Sequence, residues 1–284
     1  MVFKIFFSKF ASVFNIYVVF IVRKVYGILF TIMLVCFSCE WQLKPSADEV
    51  DSAQITVERY DRIESLYLTT GDYSALQQMN TSYPMQTRML IEDVLHIGKV
   101  NDEAINTKFL HFFQDSTLQK MLVDVEEQYE DMNDINEELS LAFSRLKDDI
   151  PSLEIPQIYA QVGSFDQSII VGNKTLGISL DKYLGIDYPF YQQHYTAHQR
   201  SIMTRDMIVP DCLSFFLLSI YPFSDIEQST QEERDAHMGR IQWVVNRITD
   251  REVFTNSFVT HVDQLMKINS QMTIEQLLTN KGDL

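Results

Sequence analysis

Apolar residues recur every three or four positions along much of the chain, the spacing of a helix with one buried face. Ile55, Val57, Tyr60, Ile63, Leu66 and Tyr67 predict a first helix, residues 85–97 a second and residues 107–113 a short third. Asp115-Ser116 has the chemistry of a cap for a long helix in which Leu118, Met121, Leu122, Val125, Tyr129, Met132, Ile135, Leu139, Phe143 and Leu146 form one stripe. The opposite face carries Glu126, Glu127, Glu130, Asp131, Asp134, Glu137 and Glu138 and reads as a solvated surface. Pro151 and Pro156 then bracket a change of period. Ile158-Tyr159-Ala160-Gln161-Val162 alternates as a strand does, and residues 167–171 and 175–180 flank Gly172-Asn173-Lys174 as the arms of a hairpin. These strands predict one small antiparallel sheet around residues 156–181. Helical spacing returns in residues 191–203, 210–220, 227–249, 250–266 and 274–278. The order of helices, short sheet and helices makes the fold class α+β, predominantly α-helical.

The N-terminal residues follow a different pattern. An apolar run from Leu29 to Ser38 follows the basic pair Arg23-Lys24 and ends at Cys39, and Leu34-Val35-Cys36-Phe37-Ser38-Cys39 resembles a bacterial lipobox. A basic start, an apolar stretch and a small residue before the cut describe an export signal rather than a spanning helix. The reading is a signal peptide over residues 1–38, a lipidated Cys39 with a flexible tether to residue 51, and a single domain over residues 52–284. A lipidated cysteine fixes a protein on a membrane without crossing it. The alternatives are a cleaved, non-lipidated signal and an uncleaved anchor built from the apolar stretches 2–22 and 25–38. The earlier apolar stretch, interrupted by Lys4 and Lys9, suits none of these readings, and a start codon near Val22 in place of Met1 resolves this.

Charge narrows the range of partners. The chain has a net charge of −16, and removing residues 1–38 takes away Lys4, Lys9, Arg23, Lys24 and no acid. The remaining 246 residues therefore carry 19 basic and 39 acidic side chains, net −20. Phosphate backbones require clustered Lys and Arg, so nucleic acid is excluded as a partner. With Cys36 lost and Cys39 acylated, Cys212 has no partner in the chain; its apolar surroundings mark it as a small buried hydrophobe. No dinucleotide, P-loop or nucleophile-elbow motif occurs, and no cofactor is expected.

Ile155-Pro156-Gln157-Ile158-Tyr159, Ser168-Ile169-Ile170-Val171 and the stretch from Leu176-Gly177-Ile178-Ser179-Leu180-Asp181-Lys182-Tyr183-Leu184-Gly185 to Tyr191 resemble the GldB-like gliding-motility lipoproteins. The similarity extends from about Ile55, through His96-Ile97-Gly98 and Phe112-Phe113-Gln114-Asp115, to residues 272–278. It implies a lipoprotein of the cell envelope, its body facing the periplasm or the cell exterior, that works with a protein of the gliding or secretion machinery. It also implies a distant similarity to zinc-peptidase-like domains, in which a helix after the sheet bears H-E-x-x-H. Here Pro210-Asp211-Cys212-Leu213-Ser214 stands at that place without a histidine, which makes the domain degenerate and zincin-like.

One pair of residues supports an enzymatic alternative. His194 and His198 have the i, i+4 spacing of two metal ligands on a helix, with Tyr195 where a glutamate base would stand and His237 or Asp206 as a conceivable third ligand. Two polar residues on an exposed face is the preferred reading, because a working site also needs a base. His96, His111 and His261 read as packing or surface residues, and Asp181 and Asp187 as caps of the helix that follows. The expectation is a non-catalytic interaction or assembly component with no metal. The alternative is an atypical zinc-dependent hydrolase around His194 and His198.

Overall fold

A computed structural model describes residues 54–223 and 229–280. Cys39 lies outside the described residues, as do the expected signal peptide and tether and Glu227. In chain order the helices are α1 (Tyr60–Thr70), α2 (Tyr73–Ser82), α3 (Pro84–Met89, running on into a π turn, Leu90–Val94), α4 (Ile105–Phe112), α5 (Ser116–Gln128) and α6 (Asn133–Asp149). The strands are β1 (Gln157–Gln161), β2 (Ile169–Gly172) and β3 (Thr175–Ser179). After a 3₁₀ turn at Leu180–Lys182 come α7 (Pro189–His194), α8 (Ala197–Arg200), α9 (Ile208–Ile220), α10 (Gln231–Thr249), α11 (Ser257–Ile268) and α12 (Ile274–Thr279). The predominantly helical α+β class is as the sequence predicts, and the described residues belong to one compact unit.

The sheet departs from the expected antiparallel arrangement. The β2–β3 hairpin is antiparallel, with Lys174 in its turn at a φ of 58°, but β1 lies on the other side of β3 and runs parallel to it. The order is β1-β3-β2. Residues 162–168 must therefore cross the end of β3 to carry the chain from β1 to β2. The burial pattern fits this position: β3 is buried at all five residues and β1 at all but its first, as strands covered on both faces are. Tyr159 lies across its register partner Gly177, where an added Cβ would meet the tyrosine hydroxyl at 2.6 Å. α1 packs on β1, and α9 on β2 and β3. α9 is apolar nearly all round because it also packs against α6 and α10.

Tertiary contacts redraw several predicted helices. Residues 55–58 are extended instead of opening the first helix. Ser140 and Asn136 on α6 take the amides of Ile55 and Val57 at 2.8 and 2.9 Å, and Glu58 bridges to β1. The polar helix α2 carries no strong apolar stripe and starts on the cap of Asp72, which accepts from the amides of Ser74 and Ala75. The predicted long helix is broken at residues 129–132 into α5 and α6. Asp115 caps α5 as expected. Arg205 fills the break, donating to the carbonyls of Gln128 (3.2 Å) and Asp131 (2.8 Å) and to Asp134, with its guanidinium 4.9 Å from the Tyr129 ring centre. α10 starts at the capping box of Thr230 and Glu233, and α11 at Asn256. The turn between them is held by Asn246, which takes the amides of Val253 and Phe254.

Glu64 on α1 is fully buried against this sheet. One carboxylate oxygen accepts from the Val162 amide at 2.9 Å, and the other has no partner among the described residues. Burial pushes its pKa well above the usual carboxylate range; the Val162 amide opposes this only in part, and Asp181 and Asp61 add to the rise. The folded state thus binds a proton at Glu64 more tightly than the unfolded state does. This contribution to stability is complete below the ordinary glutamate value of about 4.3 and is lost as pH rises toward the folded value. Glu64→Gln keeps an acceptor for Val162 without the charge. It is expected to raise unfolding free energy at pH 8 by about 1–3 kcal/mol and to flatten the fall in stability with pH. Urea unfolding of both proteins from pH 4 to pH 8 checks this.

Candidate functional site

The part of the chain that carries the resemblance is a knot at the end of β3. Gly163 and Phe165, in the loop that crosses β3, donate their amides to the buried carboxylate of Asp181, the first at 2.6 Å. Two non-glycine residues of this loop, Ser164 and Phe165, have φ of 54° and 66°. Such backbone is costly and persists only where the surroundings impose it. Here the Phe165 carbonyl accepts from Lys182 and from the Tyr195 hydroxyl, each at 3.1 Å, and the Phe165 ring stacks on Phe190 with centroids 4.0 Å apart. Burial raises the Asp181 pKa, and the two amides pull it back. Asp181 therefore organises the loop behind it instead of capping the helix ahead. Asp187 caps nothing either: α7 starts at Tyr188 with no side-chain cap and Pro189 in its first turn, where a missing amide costs nothing.

The residues that follow Asp181 each hold a different element. The Tyr183 carbonyl accepts from Tyr129 (2.6 Å) and Gln128 (3.2 Å) of the α5–α6 corner, and its hydroxyl donates to Asp211 on α9 at 2.8 Å. Gly185 has a φ of 106°, which suits glycine and leaves its amide on the Met203 carbonyl. The Tyr191 hydroxyl donates to the Asp181 carbonyl and accepts from the Leu184 amide, while Tyr188 reaches Asp124 on α5 at 3.0 Å. The central motif is thus a set of tethers from one loop to α5, α9 and the α7–α8 turn.

In the stretch Pro210–Ser214, expected to correspond to H-E-x-x-H, Asp211 stands at the place of the glutamate. Burial lifts its pKa to about 6, with the Tyr183 hydroxyl opposing the rise. A carboxyl of this kind can exchange a proton near neutrality, but its one hydrogen-bonding neighbour is a tyrosine committed to structure. Beside it Cys212 is fully buried, and burial raises its thiol pKa well above the usual value, so the thiolate needed for reaction is suppressed.

The histidine pair of the enzymatic alternative does not share a helix. α7 ends at His194, Tyr195 is extended with a ψ of 146°, and a separate turn, α8, starts on the Thr196 cap. His194 is exposed with its ring against Phe190, and His198 is exposed on α8. His237, conceivable as a third ligand, is buried on α10 and bonds the Tyr221 carbonyl at 2.8 Å, and Asp206 is exposed. Among the described residues no group of three His, Cys, Asp or Glu side chains is placed to hold a metal ion. His96, His111 and His261 are exposed. The Asp181 and Asp211 environments escape sequence reading because their partners lie 16 to 28 residues away.

Among the described residues no helix is long and apolar enough to cross a membrane. No curated protein and no solved structure matches the chain. A family model described as gliding motility protein GldB matches residues 40–253, which include the crossing loop, the whole sheet and the tyrosine tethers, and the chain therefore belongs to that family.

Proposed function

We propose that this protein is an envelope lipoprotein, held on a bacterial membrane by lipid on Cys39, whose body is a non-catalytic interaction or assembly component of the gliding or associated secretion machinery. The observation that carries the reading is the family match, which starts at residue 40, one position after the cysteine of the lipobox-like sequence. The use of the central acids supports a scaffold: Asp181 is spent on two loop amides and Asp211 on Tyr183. The exposed acidic face of α5 and α6 suits a partner other than nucleic acid. The body faces the periplasm or the cell exterior, with the tether giving it reach from the membrane.

Cys39→Ser is expected to abolish processing and acylation together, because both need the thiol. Metabolic labelling with a clickable fatty acid should mark the wild-type protein and leave the variant unmarked; label that persists on the variant places the attachment elsewhere.

The opposing reading, a zinc-dependent hydrolase at His194 and His198, requires two residues that the break at Tyr195-Thr196 sets on separate helical turns. Changing both to Ala is expected to shift stability by no more than about 0.5 kcal/mol for each surface site and to leave gliding or secretion at the wild-type level. One zinc per chain by elemental analysis, lost in the double variant together with function, makes the protein a metalloenzyme.

A further inference from the structure

The first amides after β1 are held by two buried acids. Val162 donates to Glu64, and Gly163 and Phe165 donate to Asp181. Both carboxyls are fully buried, and neither has an ion pair among the described residues. The groups that face Glu64 are Tyr60 and Asp61 of α1, Tyr159 of β1 and Asp181 beyond β3, all of them acids or hydroxyls. The nearby cations are turned elsewhere: Arg59 binds Asp61, and Lys182 donates to the Phe165 carbonyl. Two carboxyls on consecutive amides repel when both are charged, so the closed loop retains a proton that an opened, hydrated loop gives up. We propose that the crossing loop, residues 162–168, is a pH-sensitive latch: closed while Glu64 and Asp181 carry one negative charge between them, and open, with Phe165 withdrawn from Phe190, once both are ionised.

The loop is the part of this interior that can yield. The strands and α1 are bonded along their backbones, whereas the loop depends on the two carboxylates and keeps Ser164 and Phe165 in left-handed backbone that lifting relieves. Opening admits water to three groups buried without partners: one Glu64 oxygen, the Gln161 side-chain oxygen and the Tyr159 hydroxyl. It also frees the Phe165 carbonyl from Lys182 and Tyr195 and uncovers the stacked rings of Phe165 and Phe190 beside α7. Charge in the core thereby becomes an apolar surface. In the closed loop, burial and the neighbouring acids raise the Glu64 pKa, and in the open loop it returns toward the ordinary value of about 4.3. The closed form is therefore fully favoured below that ordinary value and loses favour as pH rises toward the closed one.

The test is hydrogen exchange of the full-length protein in detergent micelles, read by mass spectrometry from pH 5 to pH 8 and corrected for the pH dependence of intrinsic exchange. Protection of residues 162–168 is expected to fall by up to about tenfold per pH unit, the slope for loss of one proton, while α6 and α10 stay more protected at every pH. Glu64→Gln keeps the acceptor without the charge and is expected to hold the loop at its pH 5 protection throughout. Asp181→Asn takes one acceptor from the loop and is expected to speed its exchange at pH 5 while α6 and α10 remain protected. The latch is overturned if the loop exchanges only as slowly as α6 and α10, which marks global unfolding, or if it is unprotected already at pH 5. It is equally overturned if loop protection does not change with pH, if Glu64→Gln loses protection as the wild type does, or if Asp181→Asn leaves the loop as it was.

Discussion

The two hydrogen bonds from the Gly163 and Phe165 amides to Asp181 are the constraint on which the sheet depends. β3 can lie between β1 and β2 only if the chain crosses its end within residues 162–168. So short a crossing leaves backbone amides buried with no strand to pair them, and puts two non-glycine residues in left-handed backbone. A carboxylate with no other commitments answers both difficulties, since it accepts from two amides at once and fixes the turn between them. Asp181 follows β3 by two residues, so the strand that is crossed also carries the group that holds the crossing.

The cost of this solution is a concentration of negative charge. Asp181 and Glu64 are both fully buried, they receive adjacent backbone amides, of Gly163 and Val162, and neither has an ion pair among the described residues. Backbone dipoles only partly replace water around a carboxylate, so the pKa of each is raised. Several other acids have cationic partners. Asp61, buried next to Glu64, is bound by Arg59 at 2.7 Å, and the acidic face of α5 and α6 receives Arg62, Arg205 and Arg251 from three other parts of the chain. Arg205 also satisfies carbonyls opened by the helix break, which makes it a structural residue as well as a counter-ion.

These contacts explain the composition of the central motif without chemistry. Tyr183, Tyr188 and Tyr191 each present a hydroxyl that ends on a group from another element or on the loop itself, and Gly185 supplies a backbone angle that other residues adopt at a cost. A hydroxyl at the end of a large apolar ring is suited to this work, because the ring contributes buried area while the tip closes a polar gap in the core.

Local order is legible in the amino-acid sequence. The class, the β2–β3 hairpin with its turn at Asn173-Lys174, the cap at Asp115 and the burial of Cys212 all follow from period and from neighbours a few residues apart. The tertiary structure decided whatever depends on a distant partner. Ile55 and Val57 have helical spacing, yet Ser140 and Asn136 and the edge of β1 draw them into an extended segment. One apolar stripe runs through residues 118–146 because both helices face the same core, and the corner between them is closed by remote groups, Arg205, more than 70 residues away, and Arg62 on the Tyr129 carbonyl. The i, i+4 spacing of His194 and His198 likewise says nothing of the Thr196 cap, which starts a new turn between them. Periodicity records which side chains are buried; it does not record which remote group satisfies the backbone, and in this molecule that choice sets strand order, helix ends and the place of each buried acid.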